Sequence, residues 1–282
     1  KTKYDRTYAA YRLFNAMGTL TYALRVDYPE EWKGKSDLNP YGDFMMMIDN
    51  YVGRLMETLE SGGIAQNTMI VFTSDNGCSP QVDYEVLKVR NHNPSYIYRG
   101  HKADIFEGGH RVPFIVKWPK KIAKGSTSAE TICTTDFMAT CAEISEYKLS
   151  DNEAEDSYSL MPILNQGKLS KPFREATIHH SINGSFAIRK DEWKLILCAG
   201  SGGWSFPRPS NKAAIDSLPK YQLYNLKEDP SETNNVIASN TKKAEELTTL
   251  LTKYIVEGRS TPGEPQKNDA IDFDWKQIKF IE

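Results

Sequence analysis

Between residues 41 and 60, Tyr41, Phe44, Ile48, Val52, Leu55 and Leu59 recur at spacings of three and four. That period places them on one face of a helix, and Gly62-Gly63 stops it. Beyond the turn Asn67-Thr68, the residues Met69, Ile70, Val71 and Phe72 form a short unbroken apolar run. Such a run predicts a strand buried on both faces in a parallel sheet. Helix, short turn and buried strand together predict an α/β unit. Cys78 to Arg99 is polar and turn-rich and reads as a long loop leaving the carboxyl end of that strand. Pro113 to Trp118 is a second strand, with Pro113 confined to its start or edge. Asp136 to Ile144 reads as a helix capped by Thr134 or Thr135. In the first 35 residues only Tyr8, Tyr11, Phe14 and Met17 suggest a helical face, and Trp32 to Ser36 with Asn39-Pro40 reads as irregular loop.

Around Pro172 the texture changes. Ala176–His180, Ser185–Arg189 and Trp193–Cys198 are short strand-like runs separated by Asn183-Gly184 and Lys190-Asp191, and Asn-Gly is a strong hairpin signal. Gln222–Leu226 is a further strand. Thr241–Glu257 is an amphipathic helix with Leu247, Leu250, Leu251, Tyr254 and Ile255 inward. The expected class is therefore α/β, with a mixed sheet and flanking helices over residues 1–172. A small C-terminal α+β subdomain with a short antiparallel sheet and closing helix follows over 173–282.

Composition narrows the function. The chain has 282 residues, 39% of them apolar, and a net charge of −2 with acids and bases interspersed. That balance carries no nucleic-acid footprint and no basic membrane patch. No apolar run approaches the roughly 20 residues of a bilayer span. Cys78, Cys133, Cys141 and Cys198 lack zinc spacing. A disulfide between Cys133 and Cys141 and a pair of free thiols are both open, and free thiols are favoured because cysteine is commonly buried unpaired.

The first strand ends at Ser74-Asp75-Asn76-Gly77, and ligands bind at the carboxyl ends of strands in open α/β sheets. Asp75 offers two hard oxygens and Asn76 one neutral carbonyl, a set suited to Ca²⁺ or Mg²⁺. Taken alone, the tetrapeptide is equally a turn. A second constellation runs from Arg99 to Pro113. Its Lys102 lies 26 residues beyond Asn76, and a metal with a lysine makes a clamp for a tetrahedral oxyanion such as sulfate or phosphate. Gly108-Gly109 permits a tight backbone turn. Solvated loop charge is the plain alternative for any single lysine.

At these residues the chain resembles the sulfatase family of the alkaline-phosphatase-like superfamily. The resemblance rests on Thr73-Ser74-Asp75-Asn76-Gly77, on Lys102, and on Glu107-Gly108-Gly109-x-Arg111-Val112-Pro113. Tyr41-Gly42-Asp43 with Ile48-Asp49-x-x-Val52-Gly53 adds to it. So do Phe186-Ala187-Ile188-Arg189 with Trp193-Lys194-Leu195-Ile196, and Leu223-Tyr224-Asn225-Leu226-x-x-Asp229-Pro230-x-Glu232. It covers roughly Trp32 to Glu257. The resemblance implies that Asp75 and Asn76 are ligands of Ca²⁺, with Mg²⁺ the lesser choice. It also implies that Lys102 binds the sulfate and stabilises charge as the S–O bond breaks, while Glu107 and Arg111 hold the loop. His101 and His110 flank these motifs. His101 and the pair His179-His180 are candidates to contact substrate, as is His92, although a structural or surface role is open for each.

The departures are as informative. The family's nucleophile is a formylglycine made from the cysteine of Cys-x-Pro/Ala-x-Arg, and this sequence contains no such motif. Cys78-Ser79-Pro80-Gln81-Val82 lacks the arginine and follows the strand instead of preceding it, so Cys78 is rejected as nucleophile. The early Asp-Asp ligand pair and a His-x-Pro motif before Trp32 are absent too. The chain is therefore expected to be the C-terminal portion of a longer sulfatase. Its expected partner is a sulfated carbohydrate or other sulfate ester, and the family implies a periplasmic or secreted location. The alternatives are a phosphoester hydrolase of the same superfamily and a degenerate protein that only binds sulfated glycans.

Overall fold

The structure is a computed structural model describing residues 28–166, 169 and 171–268. The predicted helical face at Tyr8, Tyr11, Phe14 and Met17 lies outside the described residues. The chain divides into two compact units. The first comprises 28–102 and 108–120 of the described residues, and the second 103–107 with those from 121 onward.

The first unit begins with a short 3₁₀ turn, Glu30–Trp32, ahead of the predicted long helix, α1 (Pro40–Ser61). Pro40 stands in the first turn, where a missing N–H costs nothing. Asn39 caps the helix by accepting the N–H groups of Tyr41 and Gly42 at 3.1 and 3.4 Å. Asp43 is buried on its first turn. Its carboxylate accepts the N–H of Ser36 at 2.7 Å, the N–H of Gly34 at 2.8 Å and the Tyr28 hydroxyl at 2.9 Å. Burial opposes ionisation of Asp43, but these donors outweigh it and hold the carboxyl at about 2.

The apolar run after α1 forms β1 (Ile70–Thr73), which pairs antiparallel with β2 (Phe114–Lys117) from Ile70↔Lys117 to Thr73↔Phe114. This corrects the expected parallel strand buried on both faces. All strand pairs among the described residues are antiparallel, and Ile115 is exposed. An apolar run reports an affinity for burial and carries no information on strand direction. Pro113 precedes β2, as its missing N–H requires. The expected loop from Cys78 to Arg99 contains a short helix, α2 (Tyr84–Val89), capped by the Asp83 carboxylate. A one-turn helix, α3 (Glu107–His110), leads into β2.

In the second unit α4 (Phe137–Ile144) follows a 3₁₀ turn at Thr134–Asp136. Asp136, not a threonine, stands at the N-cap position of α4, and its carboxylate bonds no helix N–H: it accepts the Cys133 N–H at 2.7 Å and pairs with the buried Arg174 guanidinium at 3.1 Å. Neither Cys133 nor Cys141 is in a disulfide. After α5 (Met161–Gln166) comes the antiparallel sheet β3–β4–β5–β6, formed by Thr177–His180, Phe186–Lys190, Trp193–Ile196 and Gln222–Asn225. A short α6 (Lys212–Asp216) lies between β5 and β6, and α7 (Thr241–Glu257) ends at Gly258 with φ +62°.

Alternation gives this sheet two buried faces. Phe186, Ile188, Leu195 and Leu223 pack with Leu247, Leu251 and Tyr254 of α7. Ala187, Ile196 and Tyr224 pack on the other face with Ile105 and Phe106. That second face also holds a buried charge cluster. Lys194, 0% exposed, reaches Glu107 at 3.0 Å and Glu232, also 0% exposed, at 2.8 Å. Arg189 reaches Glu107 at 3.5 Å, and the Glu107 N–H donates to Glu232 at 2.6 Å.

Two outcomes follow. Because Asp43 is held below its ordinary 3.8, its contribution to stability, on the order of 2 kcal/mol, is present above about pH 4 and lost as pH falls toward 2. Urea midpoints across that window should flatten in Asp43→Asn, and an unchanged slope would assign the acid sensitivity elsewhere. Lys194→Met leaves the buried Glu232 without its cation and Glu107 with Arg189 alone, and should cost about 3–5 kcal/mol in urea unfolding.

Candidate active site

The site residues of the first unit sit where β1 ends. Thr73 is buried, and the chain then turns through Ser74, whose hydroxyl donates to the Asn76 carbonyl at 2.9 Å. The Asn76 Nδ2 donates to the Gly77 carbonyl at 3.1 Å, which leaves Oδ1 for another partner. Asp75 is exposed, and its carboxylate enters no hydrogen bond or ion pair among the described residues.

Backbone contacts lace this turn to two distant segments. The Gly77 N–H donates to Gly109 at 2.9 Å, the Lys102 N–H to Cys78 at 2.9 Å and the Gly108 N–H to Arg99 at 2.7 Å. A Cβ on Gly77 would lie 1.8 Å from the Gly108 carbonyl oxygen, and one on Gly108 would lie 2.3 Å from that of Gly100. Only glycine allows three backbones to approach so closely. Gly108 and Gly109 are helical and have no positive φ, which corrects the expected tight turn: here glycine is required for lack of a side chain.

His101 sits on the same lacework. Its ring lies 5.8 Å from that of Tyr84, and its Nδ1 is 3.0 Å from the Lys102 carbonyl, to which it donates. Tyr84 meets Ser95 at 3.3 Å, and Ser95 donates to Gly100 at 3.1 Å. Arg111 stacks over Tyr98 with its guanidinium 4.6 Å from the ring centroid. Burial pushes the Cys78 thiol up, against hydrogen bonds from Tyr41, Tyr84 and the Ser79 N–H. The thiol is therefore protonated near neutrality, unlike an activated nucleophile.

The structure thus brings Asp75, Asn76, His101 and Lys102 onto one unit. His179 and His180 belong to the other, as consecutive residues of β3 with side chains on opposite faces of the sheet. His180 lies against Phe186, with ring centroids 4.1 Å apart. Sequence reasoning did not foresee the cluster of Glu107, Arg189, Lys194 and Glu232. Part of its signal was present, since Arg189 and Lys194 each lie inside a motif whose other members are apolar.

Asp75 and the free Oδ1 of Asn76 fit a hard cation as two of its ligands. They cannot complete a Ca²⁺ shell of six to eight oxygens. Among the described residues no group of three or more His, Cys, Asp or Glu is placed to hold a metal.

The structure thus combines a mixed α/β architecture with Asp75 and Asn76 at the end of β1 and the backbone of Lys102 laced beside them. The chain belongs to the sulfatase family, which it matches over residues 2–147, and residues 101–204 match the N-sulphoglucosamine sulphohydrolase C-terminal family. It is 34% identical over 254 residues to an N-acetylgalactosamine-6-O-sulfatase of Bacteroides thetaiotaomicron, covering 84% of this chain and 46% of the relative. It is 30% identical to human arylsulfatase A, over 72% of this chain and 40% of that enzyme. A solved structure from work on glycosaminoglycan metabolism by Bacteroides thetaiotaomicron superposes with a TM-score of 0.70 at 30% identity, over 86% of this chain and 54% of that one. The chain spans about half the length of the curated relatives it matches.

The close approaches carry a direct test. Gly77→Ala and Gly108→Ala must push backbone apart and should each cost about 1–3 kcal/mol in denaturant unfolding. Gly53→Ala, with open space around its Cβ in α1, should instead stabilise by up to about 1 kcal/mol. Equal behaviour of the three variants would remove the lacing as an explanation.

Proposed function

We propose that this chain forms part of a sulfatase that removes sulfate from a sulfated sugar of the glycosaminoglycan type. The lacing of Asn76-Gly77-Cys78 to Lys102 and Gly108-Gly109 carries the reading. It fixes hard-oxygen donors and a cation on one backbone framework, which is the requirement for binding a tetrahedral oxyanion. Two relatives support the sugar: the N-acetylgalactosamine-6-O-sulfatase above, and an N-acetylglucosamine-6-O-sulfatase of the same bacterium, 28% identical over 78% of this chain and 36% of that enzyme.

In this reading Asp75 and Asn76 supply two ligands to a Ca²⁺ ion. When bound, that ion would polarise a sulfate oxygen and offset the charge of the ester. Lys102 places its ammonium on the sulfate and stabilises negative charge on the bridging oxygen as the S–O bond lengthens. His101, oriented by its bond to the Lys102 carbonyl and by Tyr84, positions that segment and adds a polar edge to the substrate side. No residue of this sequence matches the family's nucleophile motif, so the attack on sulfur is assigned to a formylglycine outside this chain.

Calorimetric titration with Ca²⁺ tests the metal half. Two protein ligands should give binding no tighter than about millimolar, abolished by Asp75→Ala, and submicromolar affinity would overturn the two-ligand assignment. The isolated chain with Ca²⁺ and an aryl sulfate should show no hydrolysis. A 6-sulfated N-acetylgalactosamine oligosaccharide should still bind it, more weakly in Lys102→Ala, and more tightly than the corresponding phosphate ester. Turnover by the chain alone, or a preference for phosphate, would reject the reading.

A further inference from the structure

The loop from Gly200 to Pro207 reads Gly-Ser-Gly-Gly-Trp-Ser-Phe-Pro and follows β5 in the second unit. Its backbone is fixed from beneath. Gly200 and Gly202 have φ of +68° and +60°, and a Cβ on Gly203 would lie 2.4 Å from the Ala103 carbonyl oxygen. Asp104 is fully buried, and one of its oxygens accepts the N–H groups of Trp204 and Ser205 at 2.8 and 3.0 Å. The Ile105 N–H donates to Ser201 at 2.9 Å, the Ser201 hydroxyl to Ser205 at 2.7 Å, and the Gln222 amide to Gly200 at 2.9 Å. This order displays two rings to solvent: Trp204 is 37% exposed and Phe206 is 69% exposed.

We propose that Trp204 and Phe206 form a stacking platform for a ring of the sulfated sugar, a subsite that deepens the sulfatase reading and rests on it. A pyranose presents a face of C–H groups ringed by hydroxyls. An aromatic face matches the C–H groups. Rings on a preorganised backbone bind with little further loss of conformational freedom. The platform is two rings set among glycine and serine, not the broad contiguous apolar patch that marks a protein interface. Its backbone is tied to residues 103–105 of the same unit. Asp104 is a positioning residue: its buried carboxylate holds the backbone of the residue whose indole is outside.

Saturation-transfer NMR on the 282-residue chain tests this, using a 6-sulfated N-acetylgalactosamine oligosaccharide and its desulfated counterpart as probes. Saturation should be strongest on sugar C–H groups of one ring face. Trp204→Ala and Phe206→Ala should each weaken binding about fivefold, Trp204→Phe should retain most of it, and thermal melting should confirm that each variant folds. Unchanged affinity in both alanine variants overturns the platform and leaves the sulfatase reading standing. Loss of affinity in the alanine variants with equal wild-type affinity for the sulfated and desulfated probes keeps the platform and rejects the sulfate site. No binding of either probe by the wild-type chain, or self-association relieved by Trp204→Ala, overturns the platform.

Discussion

Glu107 is the residue on which most of the other motifs converge. Its side chain is the common partner of Lys194 and Arg189, and its backbone N–H is bound by Glu232. Two acids and two bases are thus gathered where water is excluded. A buried charge without a partner costs several kcal/mol. Each member of the cluster therefore requires the others, and segments far apart in sequence are obliged to fold together. The positive φ of Glu232, +51°, belongs to the same requirement. The Asp229-Pro230 turn, whose Asp229 carboxylate accepts the N–H groups of Thr233 and Asn234 at 2.8 Å, delivers that carboxylate to the cluster.

The chain passes from Glu107 directly to Gly108, and there the governing constraint changes from charge to volume. Gly77, Gly100 and Gly108 meet backbone against backbone. The energetic role of the glycines is to be absent, and no other residue type can fill it. The chemical residues of the same motifs behave in the opposite way. Asp75 is exposed and uncommitted, and Asn76 spends its amide donor on Gly77 and keeps its oxygen. Motifs that read as a unit in sequence are thus divided into residues that build the frame and residues that the frame presents.

Much of this was legible in the sequence. Helix α1 extends one residue beyond the predicted span at each end, because apolar spacing specifies it locally, while Asn39 and Pro40, read as loop, are its cap and its first residue. The four-stranded sheet and α7 were visible because Asn183-Gly184 and period-two alternation are local signals. What failed was non-local. The direction of the β1–β2 pairing depends on a partner more than 40 residues away. The burial of Asp136 depends on Arg174, and the purpose of Gly108 depends on Gly77 and Gly100. The short helices α2, α5 and α6 lack a full period of apolar spacing, so no periodicity could mark them. The site residues were legible as residue types, while the backbone lacing that groups Lys102 with Asn76 was not.

The pairing of one carboxylate with one amide at the strand's end has a physical logic of its own. The substrate class proposed here is anionic, and each carboxylate around a cation diminishes the charge that the cation can offer to the ester. An amide supplies a hard oxygen at no such cost. The local hydrogen bond adds a second reason. Asn76 faces the Gly77 carbonyl and donates to it, which turns Oδ1 away from the backbone. An aspartate at that position would set an anionic oxygen against a carbonyl oxygen with no proton between them. The turn therefore selects asparagine by geometry, and in the proposed role an anionic substrate favours the same residue by charge. Such agreement between local and functional demands lets a four-residue turn hold its arrangement without strain.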